Sequence, residues 1–234
     1  MNGKLYLIPI TLGESSIESV IPIDVIKKTI SIKHFIVENI RTTRRYLRIL
    51  DKNFPIDDTV FMELNKHTSA TQIETYLKPI LSGNDIGVIS EAGVPGVADP
   101  GAAIVEMAHK NNIQVIPFVG PSSILMAVMA SGLNGQNFAF NGYIPVKSQD
   151  RIKHLKFLEK KSIQEQQSQL FIETPYRNNS MLDDILKACL PHTKLCIATD
   201  ITLATEYIKT DTIKNWRNKI PDIKKRPSIF IIQG

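Results

Sequence analysis

Cysteine, long apolar runs and the common nucleotide-binding signatures are scarce or missing in this chain, and each absence excludes something. Cys189 and Cys196 are its two cysteines. No other metal-ligand residues gather near them, so both read as small apolar core residues rather than as a disulfide framework or a zinc site. The five histidines (His34, His67, His109, His154 and His192) show no ligand spacing, and no metal is expected. No stretch reaches the roughly 18 consecutive apolar residues of a membrane-spanning helix. Met1 to Pro9 is too short an apolar run for a secretory leader. A cytoplasmic location with no membrane partner is therefore expected. The Gly-x-Gly-x-x-Gly fingerprint and the lysine of a phosphate-binding P-loop are both missing, which argues against NAD, ATP and GTP. No Gly-x-Ser-x-Gly elbow is present, which argues against an α/β-hydrolase.

What is present is ordinary for a globular protein: 234 residues, 43% apolar and 22% charged. That length suits one large domain or two small ones. A net charge of +5 permits an RNA or nucleotide partner without requiring one. Part of the excess is clustered, at Arg41, Arg44, Arg45 and Arg48 and again at Lys224, Lys225 and Arg226. The first cluster has helical spacing; it reads either as a phosphate-binding face or as a solvated helix face.

Short β-rich runs alternate with helical ones. Strands are predicted at Leu5–Ile8, Phe35–Glu38, Thr59–Leu64, Ile86–Ile89 and Val115–Phe118. Helices are predicted at Pro22–Ile30, Thr42–Leu50, Ala102–Lys110 and from a Ser69 cap to Leu81, where Gly83 ends the run. Such repetition implies an α/β fold with a mostly parallel sheet. The second half is less regular. Helices are predicted at Ser122–Ser131, Gln149–Lys160, Arg177–Cys189 and Ile213–Lys219. Strands are predicted at Phe138–Tyr143, Leu170–Glu173, Leu195–Thr199, Glu206–Lys209 and Ser228–Ile232, which suggests a mixed sheet. The boundary is placed at Phe118, giving domains 1–118 and 119–234.

Four stretches carry chemistry. SEAGVPGVADPG, Ser90 to Gly101, joins a buried strand to a helix. Its glycines let backbone approach a ligand, its prolines reduce the entropy lost on ordering, and it lies at a strand carboxyl end, where α/β sheets bind ligands. Asp99 reads as a ligand contact or as a helix cap. VGPSS, Val119 to Ser123, brings two hydroxyls and free N–H groups to a helix start, suiting a carboxylate or serving as a plain cap. In GYIPVKSQDR, Lys147 and Arg151 suit an RNA backbone or stand as solvated charges. In FIETPYR, Tyr176 and Arg177 suit stacking on a base, or Tyr176 packs on the sheet.

The order and spacing of LYLIP, ENIRTTRRYL, SEAGVPGVADPG, VGPSS, GYIPVKSQDR and FIETPYRNNSMLDDI resemble the tetrapyrrole methylase superfamily. Within it they look most like the branch that methylates a cytidine ribose 2′-hydroxyl in small-subunit ribosomal RNA. The resemblance covers nearly the whole chain. It implies two αβα domains, a homodimer, S-adenosylmethionine in the cleft between the domains, and small ribosomal subunit RNA as partner. Carried over by position, Pro9, Gly93, Val94, Val97, Ser122, Ser123, Ile172 and Ala198 would contact the cofactor. A ribose hydroxyl acceptor benefits from a general base. Glu38, Glu91 and Asp200 are the candidates, with Glu38 favoured and Arg41 positioning phosphate; an ion pair between Glu38 and a nearby arginine is the plain alternative.

Departures from the pattern concentrate around the acceptor. Glu38-Asn39-Ile40-Arg41 stands for Glu-Asp-Thr-Arg, Glu91-Ala92-Gly93-Val94-Pro95 for Asp-Ala-Gly-Thr-Pro, and Thr199 to Leu203 for Arg-Glu-Leu-Thr-Lys. A small-molecule acceptor such as a tetrapyrrole, or cofactor binding without transfer, remains open from sequence.

Overall fold

The computed structural model describes residues 2–65 and 67–234 and divides into two compact units, Met1–Ser122 and Ser123–Gly234. In the first, β1 (Leu5–Ile8) leads through two short helices, α1 (Ile17–Val20) and α2 (Ile23–Ile30), to β2 (His34–Val37). Then follow α3 (Ile40–Leu50), β3 (Val60–Glu63), α4 (Ala70–Leu81), β4 (Ile86–Ile89), α5 (Gly101–Lys110) and β5 (Val115–Pro117). The strand order is β3-β2-β4-β1-β5, and every pairing is parallel. Parallel strands need crossover helices, which cover both sheet faces, so the central strands are apolar throughout. Thus all four residues of β4, Ile-Gly-Val-Ile, are buried. Gly87 sits there because a Cβ would come within 2.5 Å of Ile8 and 2.9 Å of Phe35.

Local chemistry sets the helix ends. Ser69 and Gln72 form a reciprocal capping box at the start of α4, an arrangement that satisfies two otherwise orphaned N–H groups. Asn39 caps α3 by accepting the Thr42 N–H at 3.1 Å. On α3, Thr43, Tyr46 and Leu47 face the core.

The second unit begins with α6 (Ser123–Ser131), followed by β6 (Phe138–Tyr143), α7 (Ser148–Glu165), β7 (Ser168–Ile172), α8 (Asn178–Ala188), β8 (Lys194–Thr199), β9 (Tyr207–Thr212), α9 (Ile213–Trp216) and β10 (Ser228–Gln233). Its order is β6-β7-β10-β8-β9. Only β6–β7 is parallel; β10 runs antiparallel to both neighbours, and β8 to β9. The α/β class with a parallel first sheet and a mixed second one is therefore as the sequence implies. Boundaries differ most on polar segments. α7 runs on to Glu165, five residues past the expected end, because Lys and Glu support helix without an apolar stripe; it stops where Gln166 turns left-handed, with φ +50°. β9 reaches Thr212 because it stays hydrogen-bonded to β8 along its length.

Cys189 and Cys196 are free and buried. Burial pushes the Cys189 thiol up to about 12, which leaves it an inert core group. No helix among the described residues is long and apolar enough to cross a membrane, and no cluster of metal-ligating side chains occurs among them.

Candidate functional site

The glycine-rich loop leaves β4 at Ser90, whose hydroxyl donates to the Ala92 carbonyl at 3.4 Å. Gly93 and Gly96 adopt φ of +70° and +83°, and Ala98 +62°. These are left-handed conformations that glycine adopts freely and alanine does not. The Ile10 N–H donates to the Gly93 carbonyl at 2.8 Å, tying the loop to the chain beyond β1.

Asp99 closes the loop on itself. Its Oδ1 and Oδ2 both lie 2.9 Å from the Gly96 N–H, and Oδ1 accepts the Gly101 N–H at 2.6 Å. Pro100, not Asp99, is the N-cap residue of α5, but the Asp99 carboxylate does accept the N–H of the helix's first residue, Gly101, and otherwise serves its own loop. Hydrogen bonds to charged groups contribute about 1.5–3 kcal/mol each, less where solvent reaches them. Asp99→Ala is therefore expected to lower unfolding free energy by about 2 kcal/mol in denaturant titration. A loss below about 0.5 kcal/mol would show that the loop holds its shape without this carboxylate.

Beside the loop lies a cavity of about 480 Å³, lined by Leu7, Val94, Pro95, Val97, Ala102 and Phe118 among others. Small-molecule pockets commonly measure about 300–1,000 Å³, with apolar walls and a few polar groups. Val97 is 48% exposed, and the space beside the Gly96 Cα is open. Pro9 does not line this cavity. It is buried, its carbonyl accepts the Tyr46 hydroxyl at 2.9 Å, and it packs so closely on Gly120 that a Cβ there would lie 2.2 Å from the proline Cβ. Ser122 and Ser123 are partly exposed, and neither hydroxyl has a hydrogen-bond partner among the described residues.

Glu38, at the end of β2, shares a small pocket with Ser90, Pro95, Asp99 and Gly101. The fold thus brings the favoured base to the loop across two strands. Its Oε2 accepts the Glu91 N–H at 3.1 Å. Among the described residues Glu38 enters no ion pair, so the arginine pairing that its sequence context allowed does not form. Burial raises its carboxyl above the usual range, the Asp99 and Glu91 charges add to the rise, and the Glu91 N–H only partly offsets it. Of the other two candidates, Glu91 is exposed, while Asp200 is buried and held by Arg226 Nε at 2.7 Å and the Thr205 hydroxyl at 2.8 Å. Arg41 is exposed, one residue into α3.

The second unit treats its four basic and aromatic candidates differently. Lys147 is exposed at the start of α7. Arg151, expected to meet an RNA backbone, is 2% exposed. Its guanidinium bonds Asp184 Oδ2 at 2.7 Å, the Ser180 hydroxyl at 2.9 Å and the Val146 carbonyl at 3.2 Å. It faces inward because it shares the α7 face that carries Leu155 and Leu158. That helical spacing was the signal available in the sequence. Arg177 donates to Glu173 at 2.6 Å. Burial alone would raise the Glu173 carboxyl, but the Arg177 and Thr174 donors outweigh it and hold it below the usual range. Tyr176 is 78% exposed rather than packed on the sheet, with the Lys225 ammonium 5.9 Å from its ring centroid. Lys225 had stood out only as part of a charge cluster. Ile172 is partly buried at the end of β7, and Ala198 is fully buried in β8.

No protein-family model matches the chain. It is similar over nearly its whole length to proteins named ribosomal RNA small subunit methyltransferase I. The protein of Buchnera aphidicola subsp. Schizaphis graminum is 29% identical over 233 residues, covering 98% of this chain and 78% of that protein. That of Escherichia coli O157:H7 is 25% identical, covering 99% and 78%. That of Hydrogenobaculum sp. is 28% identical, covering 97% and 91%. Among solved structures, the methyltransferase CobJ superposes with a TM-score of 0.63 at 14% identity, covering 99% of this chain and 94% of that one. The cobalt precorrin-4 methyltransferase CbiF gives 0.61 at 13%, covering 98% and 94%. The fold is thus that of the tetrapyrrole methyltransferases, as the motif order implied.

Proposed function

We propose that this chain is an S-adenosylmethionine-dependent methyltransferase acting on small-subunit ribosomal RNA, at a cytidine ribose 2′-oxygen. The observation that supports it most is the joint placement of the glycine-rich loop, its apolar cavity and a Glu38 free of any ion pair among the described residues, in one unit. The similarity to proteins named ribosomal RNA small subunit methyltransferase I supports that class of acceptor, and the fold is one that a cobalamin biosynthetic methyltransferase shares.

The residues present suit the cofactor. Val94, Val97 and Phe118 offer apolar walls, and the open side of Gly96 lets backbone come close. S-adenosylmethionine would supply a methyl group on a positively charged sulfur that leaves as a neutral thioether. The protein's part is to hold the two reactants in line, which converts an encounter into an oriented reaction. Glu38 takes the proton of the ribose hydroxyl on its carboxylate as the new carbon–oxygen bond forms. Arg41, one turn away, holds a neighbouring phosphate. Ser122, Ser123, Ile172 and Ala198 stay in the proposal as cofactor contacts. Lys147, Tyr176 and Arg177 stay as RNA contacts, whereas Arg151 is internal.

The test uses purified protein, labelled S-adenosylmethionine and small ribosomal subunits lacking their decoding-region ribose methylation. Label recovered on a ribose 2′-oxygen is expected. Label on a base or on no RNA at all, with folded protein that binds the cofactor, would sink the ribose assignment or the RNA acceptor respectively. Homodimerisation in the cytoplasm is proposed alongside, and sedimentation of the purified chain checks the dimer.

A further inference from the structure

The charge on α3 is arranged for a polyanion. Arg41, Arg44, Arg45 and Arg48 fall at helical spacings of three, one and three, so they form one stripe, and all four are exposed. The opposite side of the helix, with Tyr46 and Leu47, is locked into the core. α3 contains no acidic residue. Among the described residues none of the four arginines enters an ion pair. The two carboxylates that flank α3 in the chain turn to backbone instead: Glu38 accepts the Glu91 N–H, and Asp51 accepts the Asn53 N–H. The Arg44 guanidinium sits over Phe61, 5.2 Å from the ring centroid, and Arg48 donates to the Lys52 carbonyl at 2.6 Å. Two of the guanidinium groups are thereby steadied without being neutralised.

This arrangement works against the isolated helix. Like charges three and four residues apart repel, and a cation in the first turn opposes the helix dipole. A bound polyanion relieves both. Arginine's planar fork matches phosphate oxygens two at a time, which a lysine ammonium does not. An anionic membrane is the weaker candidate, because membrane-surface helices present an apolar face to the acyl boundary, and here that face is buried.

We propose that the α3 stripe is a docking rail for the phosphate backbone of the RNA substrate. Resting on the methyl-transfer reading above, it gives that site a direction: RNA runs from Arg41, beside Glu38, along about 10 Å of helix towards Arg48 at about 1.5 Å per residue.

The test leaves Arg41 alone and replaces the other three, in R44Q/R45Q/R48Q. Affinity for a single-stranded RNA oligonucleotide of small-subunit ribosomal sequence is followed by fluorescence anisotropy across a KCl series. Each phosphate contact on single-stranded RNA contributes about 0.7 to the salt slope of binding. The slope should therefore become shallower by about 2, and low-salt affinity should fall by roughly tenfold or more. With small subunits as acceptor, KM should rise while kcat stays close to wild type. Affinity for S-adenosylmethionine should hold, and the melting temperature should hold or rise as the repulsion along α3 is relieved. If the triple variant melts early, R45Q alone should cost about 0.7 of slope, and R44K/R45K/R48K should restore the slope but not the full affinity. An unchanged slope and KM would overturn the proposal. So would a stripe-dependent affinity for phosphatidylserine vesicles with RNA binding intact. The two readings fail separately. If wild-type protein methylates nothing but still binds RNA through the stripe, the rail stands and the reaction assignment falls. If it methylates subunits with no dependence on the stripe, the reverse holds.

Discussion

Replacing Arg151 by methionine should destabilise the second unit by about 3–5 kcal/mol, the usual cost of removing one member of a buried ion pair. The side chain is enclosed, and its guanidinium satisfies three partners within 3.2 Å, with Glu173 Oε2 a further 3.7 Å away. Methionine fills much of the volume but leaves the Asp184 carboxylate, 3% exposed, with only the Ser148 hydroxyl at 3.0 Å. Glu173 keeps Arg177, so its half of the cluster survives. The loss comes chiefly from an uncompensated buried charge rather than from lost packing, and a second substitution separates the two. R151M/D184L removes both charges and should recover most of the stability, because a buried pair replaced as a whole is often neutral. Denaturant titration of the two variants settles it. A double variant no better than the single would mean that shape, not charge, dominates. The same result bears on function: any RNA-binding defect of R151M should track its unfolding and vanish in the rescued variant, unlike a defect in the α3 stripe.

That residue also marks where sequence reading ran out. Strands such as Leu5–Ile8 and Ile86–Ile89 were legible to the residue, because a parallel central strand is a short apolar run flanked by polar loops. The Ser69 cap was legible because its chemistry is local. The glycine-rich loop was legible as a tight connection shaped by glycine between β4 and α5, and its own fastener Asp99 was one of two open readings. α7 was different. Its surface is so polar that the buried face, Arg151, Leu155, Leu158, Glu159 and Ser162, mixes charge with leucine. The partner that neutralises Arg151 is Asp184, far along the chain on another helix, and no local pattern announces it. Glu38 lies between these extremes. Its position at a strand end pointed to the site, but its freedom from arginine depends on where α3 turns its stripe, which is outward.

That freedom makes Glu38 the residue whose replacement should cost the most activity. Glu38→Gln keeps the side-chain length and an oxygen that can accept the Glu91 N–H, so the loop geometry should persist. It removes the proton acceptor, and general base catalysis contributes roughly 10²–10⁴-fold. We expect kcat for methyl transfer to small subunits to fall within that range, with affinity for S-adenosylmethionine unchanged. The pH dependence carries a second, independent sign. A base must be ionised, and Glu38 gives up its proton at a pH above the ordinary carboxylate range. Wild-type turnover should therefore rise as pH passes through that elevated value and then level off, and the variant should lose the step. Stability moves the opposite way. A carboxyl whose pKa is raised by folding favours the folded state when protonated and loses that contribution as pH rises through the folded value. At neutral pH the glutamine variant should then be at least as stable as wild type, so lost turnover cannot be put down to unfolding. Turnover within about twofold of wild type would mean that the ribose proton leaves by another route, and that Glu38 serves only to hold the loop.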